Sequence, residues 1–307
     1  MIRFIVNNIY CRTKRYLKPL FFLLCVLFRF KKWSDFFCIL EECRNRQIPS
    51  INKTIYFNFR FLPYQQAVIT PIFVYPHTQF QDLTGKLKIN GEISTGMINI
   101  GRDWGYRCKG KTRIRIAGEL LFSGKCEILR GSDICIFKTG KVSFGDNVLI
   151  GENVLIYCME SISLGNTSRI TYETNIYDSD FHYTIDIDKK EIKRMTSPIV
   201  IGNYVWIGNR TNIKKGVRIP DYTIVAGSGS LLTKDYTNIL TKFGCLAGSP
   251  ARPLPMRSCR TWKNELERIK YLDNWFAKHP DKSTFKITDD ENLEDYIGIT
   301  INTNAGQ

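Results

Sequence analysis

Of the three histidines in the chain, His77, His182 and His279, only His182 stands in a stretch whose pattern points to a site. It follows two carboxylates at two-residue spacing, Asp178 and Asp180, in the segment IYDSDFHYTIDIDKKEIKRMTSP, which interrupts a regular repeat between Ile176 and Ile201. Histidine ordinarily titrates at about 6.5, so a loop imidazole is suited to take the proton from a hydroxyl as its oxygen attacks an acyl carbon. A base of this kind contributes roughly 10²- to 10⁴-fold in rate. Asp178 and Asp180 are candidates to orient the imidazole or to touch an acceptor, with corner-capping by short polar side chains as the alternative for both. For His182 the alternative is a solvated loop residue. His77 follows a proline and His279 precedes one, and both read as surface residues.

What positions His182 is a period of six. Phe144, Ile150, Ile156 and Ile162 form one run; after a two-residue slip Leu164, Ile170 and Ile176 form a second; Ile201, Ile207, Ile213, Ile219, Val225 and Leu231 form a third. Six fits neither a 3.6-residue helix nor a simple alternating strand, so the repeat describes short strands separated by corners, three to a triangular coil. The residue after the anchor is often glycine (Gly145, Gly151, Gly165, Gly202, Gly208), which suits backbone passing close to backbone. Small or β-branched residues recur four places after the anchor. A weaker register through Ile116, Phe122, Ile128 and Ile134 suggests earlier coils.

The segment VWIGNRTNIKKGVRIPDYTIVAGSGSLLTKD, followed by AGSPARPL, resembles the carboxy-terminal signature of the hexapeptide-repeat acetyltransferases, in the galactoside, maltose and surface-polysaccharide O-acetyltransferase branch. It departs in two places: AGSGSLLTKD is one residue longer than the usual form, and IPDY replaces a glycine-containing corner. The resemblance implies a mainly β fold, a left-handed parallel β-helix, assembled as a homotrimer whose donor lies between subunits. It implies acetyl transfer from acetyl-CoA to a carbohydrate hydroxyl, in capsule, lipopolysaccharide or exopolysaccharide biosynthesis, with His182 as general base. By the same likeness Trp206, Gly227, Ser228, Lys234 and Arg252 bind the donor, the two cations meeting its phosphates. Lys214 and Lys215 are either further ligand contacts or solvated lysines. No metal is expected, since one suitable histidine cannot supply the three that the zinc-dependent relatives of this fold require. The alternative is a non-catalytic β-helical scaffold that binds membrane or polyanions.

Bulk properties fit either reading. The 307 residues carry 43% hydrophobic content and a formal net charge of +15, enough for a core and in need of an anionic partner. A nucleic-acid binder is disfavoured because no recognised module accompanies the charge. Ten scattered cysteines without paired spacing read as reduced thiols of a cytoplasmic protein. The apolar run Pro19 to Phe28 is about half of what a spanning helix needs. With the basic residues of 12–32 around it, it suits either peripheral contact at the inner membrane face or packing on the body.

Three regions are expected. Residues 1–82 form a basic, aromatic α/β extension, with a helix through Pro19 to Cys43 and strands or an arm in TIYFNFRFLPYQQAVITPIFVYP that either covers the end of the coil or holds the acceptor. Residues 83–254 form the β-helix, with a catalytic loop at 178–199. Residues 255–307 hold an amphipathic helix and a polar tail.

Overall fold

The computed structural model describes residues 48–104, 110–287 and 293–298. The six-residue anchors explain its architecture directly, because each one turns inward on a short strand and stacks on the equivalent residue one coil away. On face 1 of the prism the column runs Ile128, Ile150, Ile170, Ile207, Val225. Face 2 stacks Ile134, Ile156, Ile176, Ile213 and Leu232, and face 3 stacks Phe122, Phe144, Leu164, Ile201 and Ile219. All of these residues are buried, so each coil finds its apolar partners only in its neighbours. The chain is thus mainly β, a left-handed parallel β-helix. Pairing is parallel on all three faces, except where Gly244–Ala247 meets Arg252–Arg257 antiparallel.

The last anchor is Leu232 rather than Leu231. It pairs with Ile213 and is fully buried, whereas Leu231 is only half-buried. The extra residue in AGSGS is the cause, since it shifts everything after it by one.

Two devices shape the corners. At the glycines the requirement is close approach: a Cβ built on Gly208 would lie 2.2 Å from the nitrogen of Gly227 in the next coil. The left-handed backbone falls instead three places after the anchor, at Asn147, Asn153, Thr167, Glu173, Tyr204, Arg210, Tyr222 and Ser228, all with φ near +60°. That conformation costs a non-glycine residue about 1–2 kcal/mol. A hydrogen bond across coils offsets it, because the corner N–H donates to the preceding coil, as in Thr167 to Asp146 O (2.7 Å), Glu173 to Glu152 O (2.9 Å), Tyr204 to Asn166 O (2.8 Å) and Ser228 to Asn209 O (2.7 Å). Along the corner between faces 3 and 1, side chains add a second ladder. Asp146 N–H donates to Asn166 Oδ1, Asn166 N–H to Asn203 Oδ1 and Asn203 N–H to Asp221 Oδ1, each at 2.7–2.8 Å.

The coil begins earlier than the expected boundary at residue 83, since Ile72–Val74 and Thr78–Phe80 already pair with Ile98–Arg102 and Thr112–Ile116. Of the aromatic stretch expected as strands or an arm, Ile72–Val74 is a strand, but its first part belongs to an α-helix, Ile51–Phe61, which buries Thr54, Phe57 and Asn58 at helical spacing. Asn58 donates to Ile72 O (2.7 Å) and accepts from Ile72 N–H (3.2 Å), and Thr54 Oγ1 accepts from Val74 N–H (3.0 Å). The helix thereby satisfies the open edge of the first strand, so covering the coil end is the part of the expectation that holds. Asn58→Leu keeps the volume but orphans two backbone groups; urea unfolding should show a loss of about 1–3 kcal/mol.

Downstream lies the α-helix Glu265–Lys278, none of whose residues is buried. The stretch Pro19 to Cys43 and the proposed membrane contact at 12–32 lie outside the described residues, among which no helix is long and apolar enough to cross a membrane.

Candidate functional site

The excursion between Ile176 and Ile201 leaves the corner between faces 2 and 3. It is an antiparallel hairpin, Thr184–Asp186 against Glu191–Lys193, closed at its base by the pairing of Ser179 with Thr196. His182 lies just above that base, exposed, with its ring in no hydrogen bond or ion pair to a described residue.

Three contacts fix the base. Asp178 is fully buried. Its Oδ1 accepts from Met159 N–H (2.8 Å), and its Oδ2 accepts from Glu160 N–H (2.7 Å), Ser161 N–H (2.8 Å) and the Cys158 thiol (3.3 Å). The carboxylate therefore caps the corner of the preceding coil and does not meet the imidazole. Asp180 pairs with Lys215 Nζ at 2.7 Å. Phe181, at φ +59°, lays its ring among Phe137, Tyr157 and Tyr177, with centroids 6.2–6.3 Å apart. Sequence reasoning missed the roles of Phe181 and Lys215, for a lone aromatic or lysine carries no signal in sequence of its partner in space.

Burial pushes the Cys158 thiol far up, with Asp178 adding to the effect. Tyr157, whose hydroxyl donates to Asp133 Oδ2 (2.9 Å), is pushed up to about 12 by burial first and then by that hydrogen bond. The folded state thus favours the neutral phenol. Its contribution is intact below the ordinary tyrosine value of 10.0 and is lost as pH climbs toward about 12. Ultraviolet titration of Tyr157→Phe should lack one late-ionising phenol.

The expected donor-binding residues fall into two groups. Lys234 sits at the same corner as His182, one coil beyond Lys214 and Lys215, in the turn that follows Leu231–Leu232. Trp206 lies on face 1, and Gly227 and Ser228 lie at the corner between faces 1 and 2. Arg252 is exposed on the last strand of face 1. One chain therefore brings His182 together with the lysines but not with Trp206. The Trp206 indole N–H is buried without a hydrogen-bond partner among the described residues, and the Arg260 guanidinium lies over its ring at 5.5 Å.

Beside Trp206, face 1 opens into a cavity of about 640 Å³. Trp104, Tyr172, Glu152, Arg169 and Arg260, with the paired Glu173 and Arg210, supply its aromatic and charged lining. Sequence reasoning did not single out these residues, because nothing in their spacing marks them.

No family model matches the chain. It is 33% identical over 101 residues to the galactoside O-acetyltransferase of Escherichia coli (strain K12), covering 30% of this chain and 48% of that protein. It is 28% identical over 133 residues to WcaF of the same organism, named as a colanic acid biosynthesis acetyltransferase, covering 42% and 65%. The chain thus spans about half to two thirds of the length of these curated relatives. The crystal structure of the polySia-specific acetyltransferase NeuO aligns over 66% of this chain and 87% of its own, at 24% identity and a TM-score of 0.46. The relatives that this chain resembles are hexapeptide-repeat acetyltransferases, with galactoside and colanic acid enzymes among them.

Proposed function

We propose that the chain is an acetyl-CoA-dependent O-acetyltransferase acting on a sugar hydroxyl in surface-polysaccharide synthesis, with His182 as general base. The observation that carries this reading is the placement of His182. An exposed imidazole with no partner stands on a hairpin whose base is fixed by the Asp178 cap, the Asp180–Lys215 pair and the Phe181 ring. A free ring nitrogen on a fixed base is what proton abstraction from a bound hydroxyl needs.

Trp206, Gly227, Ser228, Lys234 and Arg252 are assigned to the donor. The orphaned Trp206 N–H fits that role, since a buried donor needs an acceptor and the pantetheine arm carries amide carbonyls. His182 and Trp206 lie on different parts of one prism, so a complete site requires a second copy whose face 1 meets this hairpin. A closed threefold ring supplies such contacts identically for every subunit, and Tyr183, Ile185, Ile187 and Ile192 are the exposed apolar residues on the hairpin available to dock there. Residue roles follow accordingly: His182 takes the hydroxyl proton, a corner amide near Ser228 faces the developing oxyanion, and Lys234 and Arg252 hold phosphate.

Transfer of labelled acetyl from acetyl-CoA to a panel of neutral and acidic glycans tests the reading, with the mass of the assembly measured in parallel. Acetylated glycan and a trimeric mass are expected. If calorimetry detects no binding of any CoA thioester, the non-catalytic scaffold takes its place.

A further inference from the structure

Two charged side chains in the wall of the face 1 cavity, Arg169 and Glu152, have no ion-pair partner among the described residues. The Arg169 guanidinium donates to the carbonyls of Asn147 and Ser168 and to Asn147 Oδ1, and it has no carboxylate within ion-pair distance among the described residues. Burial, and then the neighbouring Arg260 cation, hold its pKa below the ordinary arginine value. The two carboxylates that act on it, Glu265 and Glu127, pair with other cations, Arg260 and Arg102, and Glu173 pairs with Arg210 at 2.6 Å. Glu152 is the converse case. It is 8% exposed, and its Oε1 is buried without a hydrogen bond to any described residue. A buried carboxylate oxygen without a donor is costly, and proteins tolerate such groups where a ligand supplies what is missing.

A ligand that answers both must present a hydroxyl to Glu152 and an anion to Arg169. A neutral polyol would leave the guanidinium uncompensated, and a simple anion would leave the carboxylate bare. Trp104 and Tyr172, both exposed at the mouth, offer flat apolar faces for a sugar ring, and about 640 Å³ is a typical volume for a small-molecule site. We propose that this cavity is the acceptor site and that it takes an acidic sugar, whose carboxylate pairs with Arg169 while a ring hydroxyl donates to Glu152. The assignment rests on the O-acetyltransferase reading above and names the class of sugar which that reaction uses.

Titration calorimetry on the full chain decides it, with a uronic-acid-containing disaccharide and its carboxyl-reduced neutral counterpart as titrants. The acidic sugar should bind about tenfold or more tightly, as a charge-assisted hydrogen-bonded pair implies. Arg169→Gln should abolish that preference while leaving the affinity for acetyl-CoA unchanged. Glu152→Gln should weaken both sugars and raise the melting temperature, because it removes an uncompensated buried charge; a purely structural Glu152 would instead lower the melting temperature and leave the affinity for both sugars unchanged. Equal binding of the two sugars, a preference that survives in Arg169→Gln, or a loss confined to acetyl-CoA overturns the assignment. Binding is read without turnover, so the two ideas fail separately. Acidic-sugar binding without acetyl transfer removes the enzymatic reading alone, and transfer to neutral and acidic sugars alike removes the assignment of the cavity alone.

Discussion

Replacing His182 with alanine is expected to lower kcat for acetyl transfer by about 10²- to 10⁴-fold, with KM for acetyl-CoA and the melting temperature close to wild type. Both halves of that expectation come from the geometry. The imidazole is exposed and makes no hydrogen bond, ion pair or ring contact with a described residue, and a surface substitution of this kind usually stays within about 0.5 kcal/mol. Any loss of rate therefore reports on chemistry. His77→Ala serves as a control, for its exposed side chain lies well before the hairpin. A His182→Ala enzyme within threefold of wild type would remove histidine from the mechanism and, with it, the main reason for reading the hairpin as catalytic.

Asp178→Ala should behave in the opposite way, as a stability variant that also loses rate. The carboxylate gathers three backbone N–H groups and a thiol at a fully buried corner. Its removal orphans the three backbone donors, while the thiol keeps Lys141 O as an acceptor at 3.4 Å, and each buried donor left bare costs about 1–3 kcal/mol. Denaturant unfolding should show a loss on the order of 3–5 kcal/mol, comparable to removing one partner of a buried charged pair. Asn is no rescue, because one of its two polar atoms becomes a donor facing donors. The same measurement separates the two roles open to Asp178. Unchanged stability with lost activity would mean that the carboxylate serves the imidazole in the working enzyme, whereas lost stability places it in the corner.

The fold was legible because its determinants are local and periodic. An isoleucine at positions 150, 156, 170, 176, 207 and 213 says where the strands are, and every one of them is fully buried. The hairpin was legible for the complementary reason, as the only long break in that register. Other features were less so. The left-handed corners fall on Glu173, Tyr204 and Arg210, residues with no preference for that backbone, because the cross-coil hydrogen bond selects the conformation and not the side chain. The Ile51–Phe61 helix was misread since Tyr56, Phe57, Phe59 and Phe61 suggest alternation, while the deciding residues, Thr54 and Asn58, act only through a strand more than ten residues away. The site itself divides along the same line. His182 stands out by type and position, but the ion pair of Asp180 and the isolation of Arg169 and Glu152 depend on residues from other coils.

The hairpin enters and leaves its coil without disturbing the stack. Ile170 pairs with Ile207 and Ile176 with Ile213 as if the intervening residues were absent. Lengthening such a closed loop is thermodynamically mild, each doubling adding only about 0.6 kcal/mol of closure entropy. Residues 183–195 can therefore be lengthened, trimmed or rewritten at little cost to folding. The prism acts as a chassis on which the hairpin is a replaceable part.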